Sequence, residues 1–324
     1  MNDSSFRAAL LSKDKKAYQQ AYSENLSGVD LVQFLNDLLF CSVSVDQISV
    51  KDLHPVCVIN SIKNIIGDDR DNPSKSLLKF ASNYLAGFEF RKNDQSLLDE
   101  AVRDGIGLVA FLGDLEDACQ AGNWAEVQGL TAKTFMASDC SRGTLDALAE
   151  IGLQDSDRNV VFIFHLLRAF QFKEAKDDNW AFTKSILDWL NENLLPEPHD
   201  KTEKSPSDII DVMVESLNPT LFTSVLRLWD GDYVRLRGFQ RELSHWCSHV
   251  IKTESDIYSI QSHCLESNDP KKFINSAESI VDSNKSQSEM ADQLVMLESI
   301  RALSKIVSQE QLEILGARLN QKLS

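Results

Sequence analysis

The chain has 324 residues and a formal net charge of −16. That balance excludes a nucleic-acid backbone as the main partner, because phosphate binding needs a concentrated basic footprint. Its 13 glycines and 7 prolines fall well below the usual shares of roughly 7% and 5%, which favours helices over turn-rich β architecture.

Taken in order, the chain is a succession of amphipathic helices. Ser4 and Ser5 are placed to cap a first helix whose loose stripe of Ala8, Leu10, Leu11, Tyr18 and Tyr22 runs to about Leu26. A second spans about Val29 to Phe40, and Cys41 to Val50 reads as a connector with room for a short extended piece. Asp52 or His54 then caps a helix with Pro55 at its first position, where the missing N–H costs nothing. Its buried stripe is Val58, Ile59, Ile62, Ile65 and Ile66, and Gly67 ends it. Asn72-Pro73-Ser74 opens the next helix, and Asp94 to Arg103 and Leu108 to Ala121 continue the array.

From Asn123 the pattern starts again. Asn123 with Glu126 is close to a capping box. Thr144 to Ile151 matches the second helix, Asp157 to Phe172 carries His165 where His54 would be expected, and Trp180 to Leu190 parallels Ser76 to Leu85. Offsets between matched points drift from about 105 to 114 residues, which loops can absorb. Residues 1–195 therefore read as a duplicated helical domain, with copies over about 4–115 and 116–195. The polar, proline-marked stretch 196–208 reads as a linker, and 209–324 as a C-terminal helical region. In that region Pro219 opens one helix, and Tyr233 to Ile251 forms another. Asp269-Pro270 is read as a cap and first position, and Ser286 to Glu289 and Ser308 to Gln311 as capping boxes. The expected fold is all-α, an array of about fourteen or fifteen helices in two related halves plus a helical C-terminal region.

The six cysteines are scattered, with no C-x-x-C pair, and read as reduced core fillers in a cytoplasmic protein. MNDSSFRAALLSKDKK lacks the apolar core of a signal peptide. The longest apolar run, Val160 to Leu167, is far short of the ~20 residues that span a bilayer. A soluble, cytoplasmic protein without a membrane partner is the expectation.

Three groups of residues invite chemistry. If the two copies pack about a pseudo-twofold axis, His54 and His165 approach one cavity and could act as base, metal ligand or substrate clamp. The plainer reading makes each a satisfied core histidine, with His54 capping its helix. Glu242, His245 and His249 follow E-x-x-H-x-x-x-H, which puts three donors on one helix face at a usable metal spacing, with His263 or Cys264 available to complete a site. Otherwise they form a solvated or half-buried face. Arg227, Arg235, Arg237 and Arg241 with Trp229, Tyr233 and Phe239 form a local basic-aromatic cluster. It suits an anionic or planar ligand, held chiefly by Tyr233, Arg235, Arg237 and Arg241, or else a subunit contact or an ion-pair network with Asp230, Asp232 and Glu242. No G-x-G-x-x-G after a strand, P-loop, nucleophile elbow or H-E-x-x-H occurs, which removes the commonest cofactor and nucleophile classes and leaves the cofactor unknown.

The surroundings of His54 (HPVCVINSIKNIIG, then SLLKFASNYL) and of His165 (FHLLRAFQF) resemble the histidine-marked helical repeats of the questin-oxidase-like group. Over residues 1–195 that resemblance implies a helical scaffold with a buried pocket touched by His54 and His165 and, in some members, oxygenase-type oxidation of a polycyclic aromatic. Two functional expectations follow. One is a helical scaffold that binds a protein or small-molecule ligand in a groove between the halves, with a homo-oligomer an open option. The alternative is an oxidoreductase or metal-dependent enzyme with a pocket lined by His54 and His165.

Overall fold

Caps and breakers divide this chain, because each helix leaves its first N–H and last C=O groups to be satisfied from outside the helix. The computed structural model describes residues 5–23, 26–46, 52–105, 112–191, 194–215, 218–250 and 264–323. Within them the helices are α1 (Ser5–Leu11), α2 (Lys15–Ser23), α3 (Gly28–Val43), α4 (Pro55–Ile66), α5 (Lys75–Ala86) and α6 (Ser96–Asp104). Then come α7 (Leu112–Gln120), α8 (Trp124–Ala137), α9 (Gly143–Gly152), α10 (Ser156–Phe172) and α11 (Asn179–Leu190). The last six are α12 (Ile210–Glu215), α13 (Pro219–Trp229), α14 (Leu236–His249), α15 (Lys272–Val281), α16 (Gln287–Leu303) and α17 (Gln309–Leu323). The architecture is all-α. Among the described residues the only extended pairing is an isolated antiparallel bridge between Val45 and Phe90.

The start and stop signals work locally. The His54 ring accepts from the backbone N–H of Val56 at 3.1 Å, with Pro55 at the first helical position of α4 and Gly67 closing it. Ser74 caps α5 through the N–H of Leu77, and Ser286 with Glu289 forms a reciprocal capping box on α16. Two expectations are corrected. The first helix is broken into α1 and α2 by a turn in which Lys13 takes a φ of 58°, and Asp14 restarts the chain by accepting from the Ala17 N–H. Pro270 does not open a helix. Asp269 instead accepts from the Lys271 N–H at 2.8 Å and from the Asn275 side chain at 2.9 Å, holding a turn that delays α15 to Lys272.

Four helices form the centre. α4 packs on α10, α10 on α13, α13 on α16, and α16 back on α4, which closes a four-helix ring whose buried side chains include Ile59, Ile62, Leu166, Val225, Leu294 and Leu297. Each such side chain contributes about 1.5–3 kcal/mol on burial. The remaining helices clothe this ring, and one continuous apolar core runs from Phe6 to Leu319. A small satellite of Leu98, Ala101, Ala132, Phe135 and Trp180 joins α6, α8 and α11. Residues 196–208 lie along α14: the Thr202 hydroxyl and N–H both bond to Ser244, and Ser205 and Asp208 form a capping box before α12. Helices from both sides of this stretch share the one core.

The interior also holds a charge cluster that local patterning does not announce. Arg7 of α1 donates to Asp37 of α3 at 3.0 Å and bidentately to Asp178 at 2.8 and 3.0 Å, with all three side chains at most 5% exposed. Its guanidinium also lies 3.9 Å from the Phe40 ring centroid.

Candidate functional site

A cleft of about 990 Å³ opens where residues 45–97 meet α8 and α11, on the line between the two halves read from the sequence. It is lined by the segment 89–92, pinned on one edge by bonds from the Asp46 N–H to the Glu89 carbonyl and from the Arg91 N–H to the Ser44 carbonyl, each 2.8 Å. In an antiparallel bridge of this kind the N–H and C=O of the central residue point away from the partner strand. Those of Phe90 therefore face outward, and they pair with nothing among the described residues.

Both signs of charge line the walls. The Arg91 guanidinium, 8% exposed, bonds the Asp94 carboxylate at 3.0 Å and reaches Asp188 at 3.6 Å, while Lys184 pairs with Asp188 one helical turn away. The Trp180 indole donates to the Asp94 carbonyl at 2.7 Å and fixes the turn after the 89–92 segment. Lys92, Ser96 and Gln128 add further polar groups.

His54 lies at the back of this cleft. Its ring lies tilted 4.6 Å from Phe162 and edge-on 5.7 Å from Trp189, and Nε2 lies 3.4 Å from Ser185 Oγ. Burial, with help from the Arg91 charge, pushes its pKa down to about 3, so the ring is neutral. Nδ1 already accepts the Val56 N–H, so the proton sits on Nε2 and is donated toward Ser185. This tautomer cannot take a proton from the serine. The pair is a locked hydrogen bond, not a nucleophile and its base.

His165 is elsewhere in the same α4–α10 seam. It is fully buried, it does not line the cleft, and its Nδ1 pairs with the Asn60 amide at 2.8 Å. Its Nε2 and Asn60 Oδ1 have no hydrogen-bond partner among the described residues. Burial, with the Arg227 and Lys63 charges acting the same way, holds its pKa well below the ordinary histidine value. The seam thus brings both histidines to one interface, but only His54 reaches the cleft.

The second expected group sits on α14. Glu242 is buried and already engaged: it accepts from His199 Nδ1 at 2.7 Å and from Arg241 Nε at 2.9 Å. His245 stacks on His199 with centroids 3.7 Å apart, and His249 lies 4.3 Å from His245 and bonds its carbonyl through Nδ1. Among the described residues no group of three or more His, Cys, Asp or Glu is placed to hold a metal ion, and His263 lies outside the described residues.

The third group splits. Arg235 pairs with Glu150 and with Glu116 at 2.8 Å, and Arg241 with Glu150 at 3.1 Å and Glu242 at 2.8 Å. The Glu150 carboxylate lies so close to Gly238 that a Cβ there would stand 2.1 Å from it, so glycine is what lets α14 meet this acid. Arg237 is exposed at the edge of a shallow hollow formed with these residues. Tyr233 is buried against Phe239 at 5.1 Å and under the Arg142 guanidinium at 5.0 Å, and burial raises its pKa to about 12. The ion-pair partners are Glu150, Glu116 and Glu242; the other expected partners, Asp230 and Asp232, form no ion pair with these arginines among the described residues.

Arg227 belongs to a separate cluster at one end of the central ring. There it bonds both oxygens of Glu298 at 2.8 and 3.0 Å, with Asn64 adding a bond of 2.9 Å to the same carboxylate. Lys63, Arg168 and Arg301 complete this rim, and patterning alone marks none of them. No helix among the described residues is long and apolar enough to cross a membrane. No family model, curated protein or solved structure matches the chain.

Proposed function

We propose that the protein is a non-catalytic helical scaffold that holds an extended peptide segment of a partner protein in the cleft between its two halves. The observation that carries this reading is the outward-facing backbone of Phe90 in the lining of a 990 Å³ cleft with charges of both signs on its walls. An extended segment can add to such an edge through main-chain bonds while side-chain pockets select its sequence. Arg91, Lys92 and Lys184 favour acidic side chains, and Asp46, Asp94 and Asp188 favour basic ones, so the preferred segment carries both. The locked tautomer of His54 argues for binding and against Ser185 acting as a nucleophile.

The test is a selection of random displayed peptides on the full chain, followed by calorimetric titration against wild type and two cleft variants, Asp188→Lys and Ser96→Trp. Enriched peptides should carry charges of both signs and lose about tenfold or more in affinity to each variant, which is ~1.4 kcal/mol. Peptides that bind all three proteins equally, or the absence of any enriched peptide, would overturn the reading.

A further inference from the structure

Lys63 is the most unusual cation in the chain. It lies on α4 between Ile62 and Ile65, only 8% exposed, with its Nζ 4.7 Å from the Phe172 ring centroid. Among the described residues it makes no hydrogen bond and no ion pair. The carboxylate that acts on it, Glu298, is occupied by Arg227 and Asn64. The other charges facing it from the packed helices are positive: Arg168 on α10, Arg227 on α13 and Arg301 on α16. Among the described residues Arg168 bonds Gln171 alone, while Arg301 is held by Asp68 of the turn after α4. In a chain of net charge −16, four cations thus face two carboxylates at one end of the central ring.

A buried ammonium with no anion beside it is costly, and the group lowers that cost by giving up its proton. Burial, with Arg168, Arg227 and Arg301 acting in the same direction and Glu298 opposing, takes the Lys63 pKa down to about 7. Much of the amine is then free base near neutral pH, with a nucleophilic lone pair. What the rim lacks is a negative charge at the Lys63 nitrogen, which lies against Phe172 and faces Arg168, Arg227 and Arg301.

We propose that Lys63 is a carbon dioxide site, where the free amine forms a carbamate held by Arg168 and Arg227. The balance is simple. The Nζ lone pair forms the N–C bond, one C–O π bond of carbon dioxide opens to place a negative charge on oxygen, and one proton leaves nitrogen for the buffer. No electron is transferred. Lys63 passes from neutral or positive to negative, and the rim becomes an ion-pair network bridging α4, α10 and α13. This inference is independent of the peptide reading of the cleft.

The test uses the intact chain in 13C-bicarbonate at pH 7.5–8. Carbon NMR should show one carbamate resonance that disappears on acid unfolding. Alkylation with a trialkyloxonium salt followed by peptide mass spectrometry should place the trapped carboxyl on Lys63. Lys63→Arg, which has no free amine to form the adduct, should abolish the signal without loss of helical circular dichroism. Arg168→Gln, a change at an exposed position, should lower occupancy at fixed bicarbonate by roughly threefold or more through loss of one facing charge. No carbamate on the folded wild-type chain, or a signal that survives in Lys63→Arg, overturns the proposal. Occupancy unchanged in Arg168→Gln removes the arginine clamp.

Discussion

Acidification should destabilise this fold well before its carboxylates titrate, because His54 and His165 are buried in neutral form. The perturbation is a shift from pH 6.5 to 5.0. The folded pKa of His54 is about 3 and that of His165 lies well below its ordinary value, whereas both return to about 6.5 in the unfolded chain. Below pH 6.5 the unfolded chain therefore binds protons that the folded chain refuses, and stability falls as pH falls. At 1.36 kcal/mol per pH unit, His54 contributes a loss of about 2 kcal/mol over this window, and His165 adds a loss of the same sign. Most other groups act outside this window: Lys63, with a folded pKa of about 7, is already mostly protonated at pH 6.5, and Asp69, Asp208 and Glu289, whose folded pKa values are lowered, contribute a loss only in and below the ordinary carboxyl range. His245, also lowered by burial, adds a loss of the same sign within the window. Asp146, raised by burial, acts in the opposite sense at lower pH. The assay is urea unfolding followed by circular dichroism at three pH values for wild type, His54→Asn and His165→Gln. His54→Asn keeps a capping acceptor. Each variant should show a smaller pH dependence than wild type, whatever its absolute stability. Equal pH dependence in all three proteins would refute the claim that these rings are held neutral by burial.

Two further outcomes follow from the fold. Arg7→Met leaves Asp37 and Asp178 as buried carboxylates without their shared cation and should cost about 3–5 kcal/mol in urea unfolding, most of it recovered when both acids become Asn. Ser286→Ala removes the side-chain acceptor for the Glu289 N–H at the start of α16 and should cost about 1 kcal/mol, seen as a lower melting temperature with unchanged helical content.

Much of the fold was readable because its signals are local. His54, Pro55 and Gly67 bracket α4 by capping chemistry alone, and Ser286 with Glu289 marks the start of α16. The break at Lys13 was not readable, because a non-glycine residue in the left-handed region costs little enough to be held by its turn and leaves no composition mark. Asp269-Pro270 misleads for a different reason: the aspartate side chain has two competing partners, and the turn wins.

The sites were less legible. The cleft takes residues from the 45–46 segment, the start of α4, the 89–97 segment, α8 and α11, and only folding brings them together. Arg7, Asp37 and Asp178 are far apart in the chain, so no spacing signals their contact. Lys63 reads as an ordinary lysine within an apolar stripe, and its burial arises because α10, α13 and α16 close over the end of α4. His199 was hidden in an expected linker, and it is what engages Glu242. The arginine-aromatic stretch was visible, but sequence could not show that Glu150, some 85 residues before Arg235, occupies it.

The most direct test of the scaffold reading is amide hydrogen exchange at Phe90, with and without a selected peptide. Its N–H points away from the Val45 strand and has no partner among the described residues, so it should exchange quickly in the free protein and slow by at least about tenfold when the peptide is bound, with Asp188→Lys abolishing the effect. Exchange at Phe90 that is unchanged by a bound peptide, with protection appearing on another face, would contradict it.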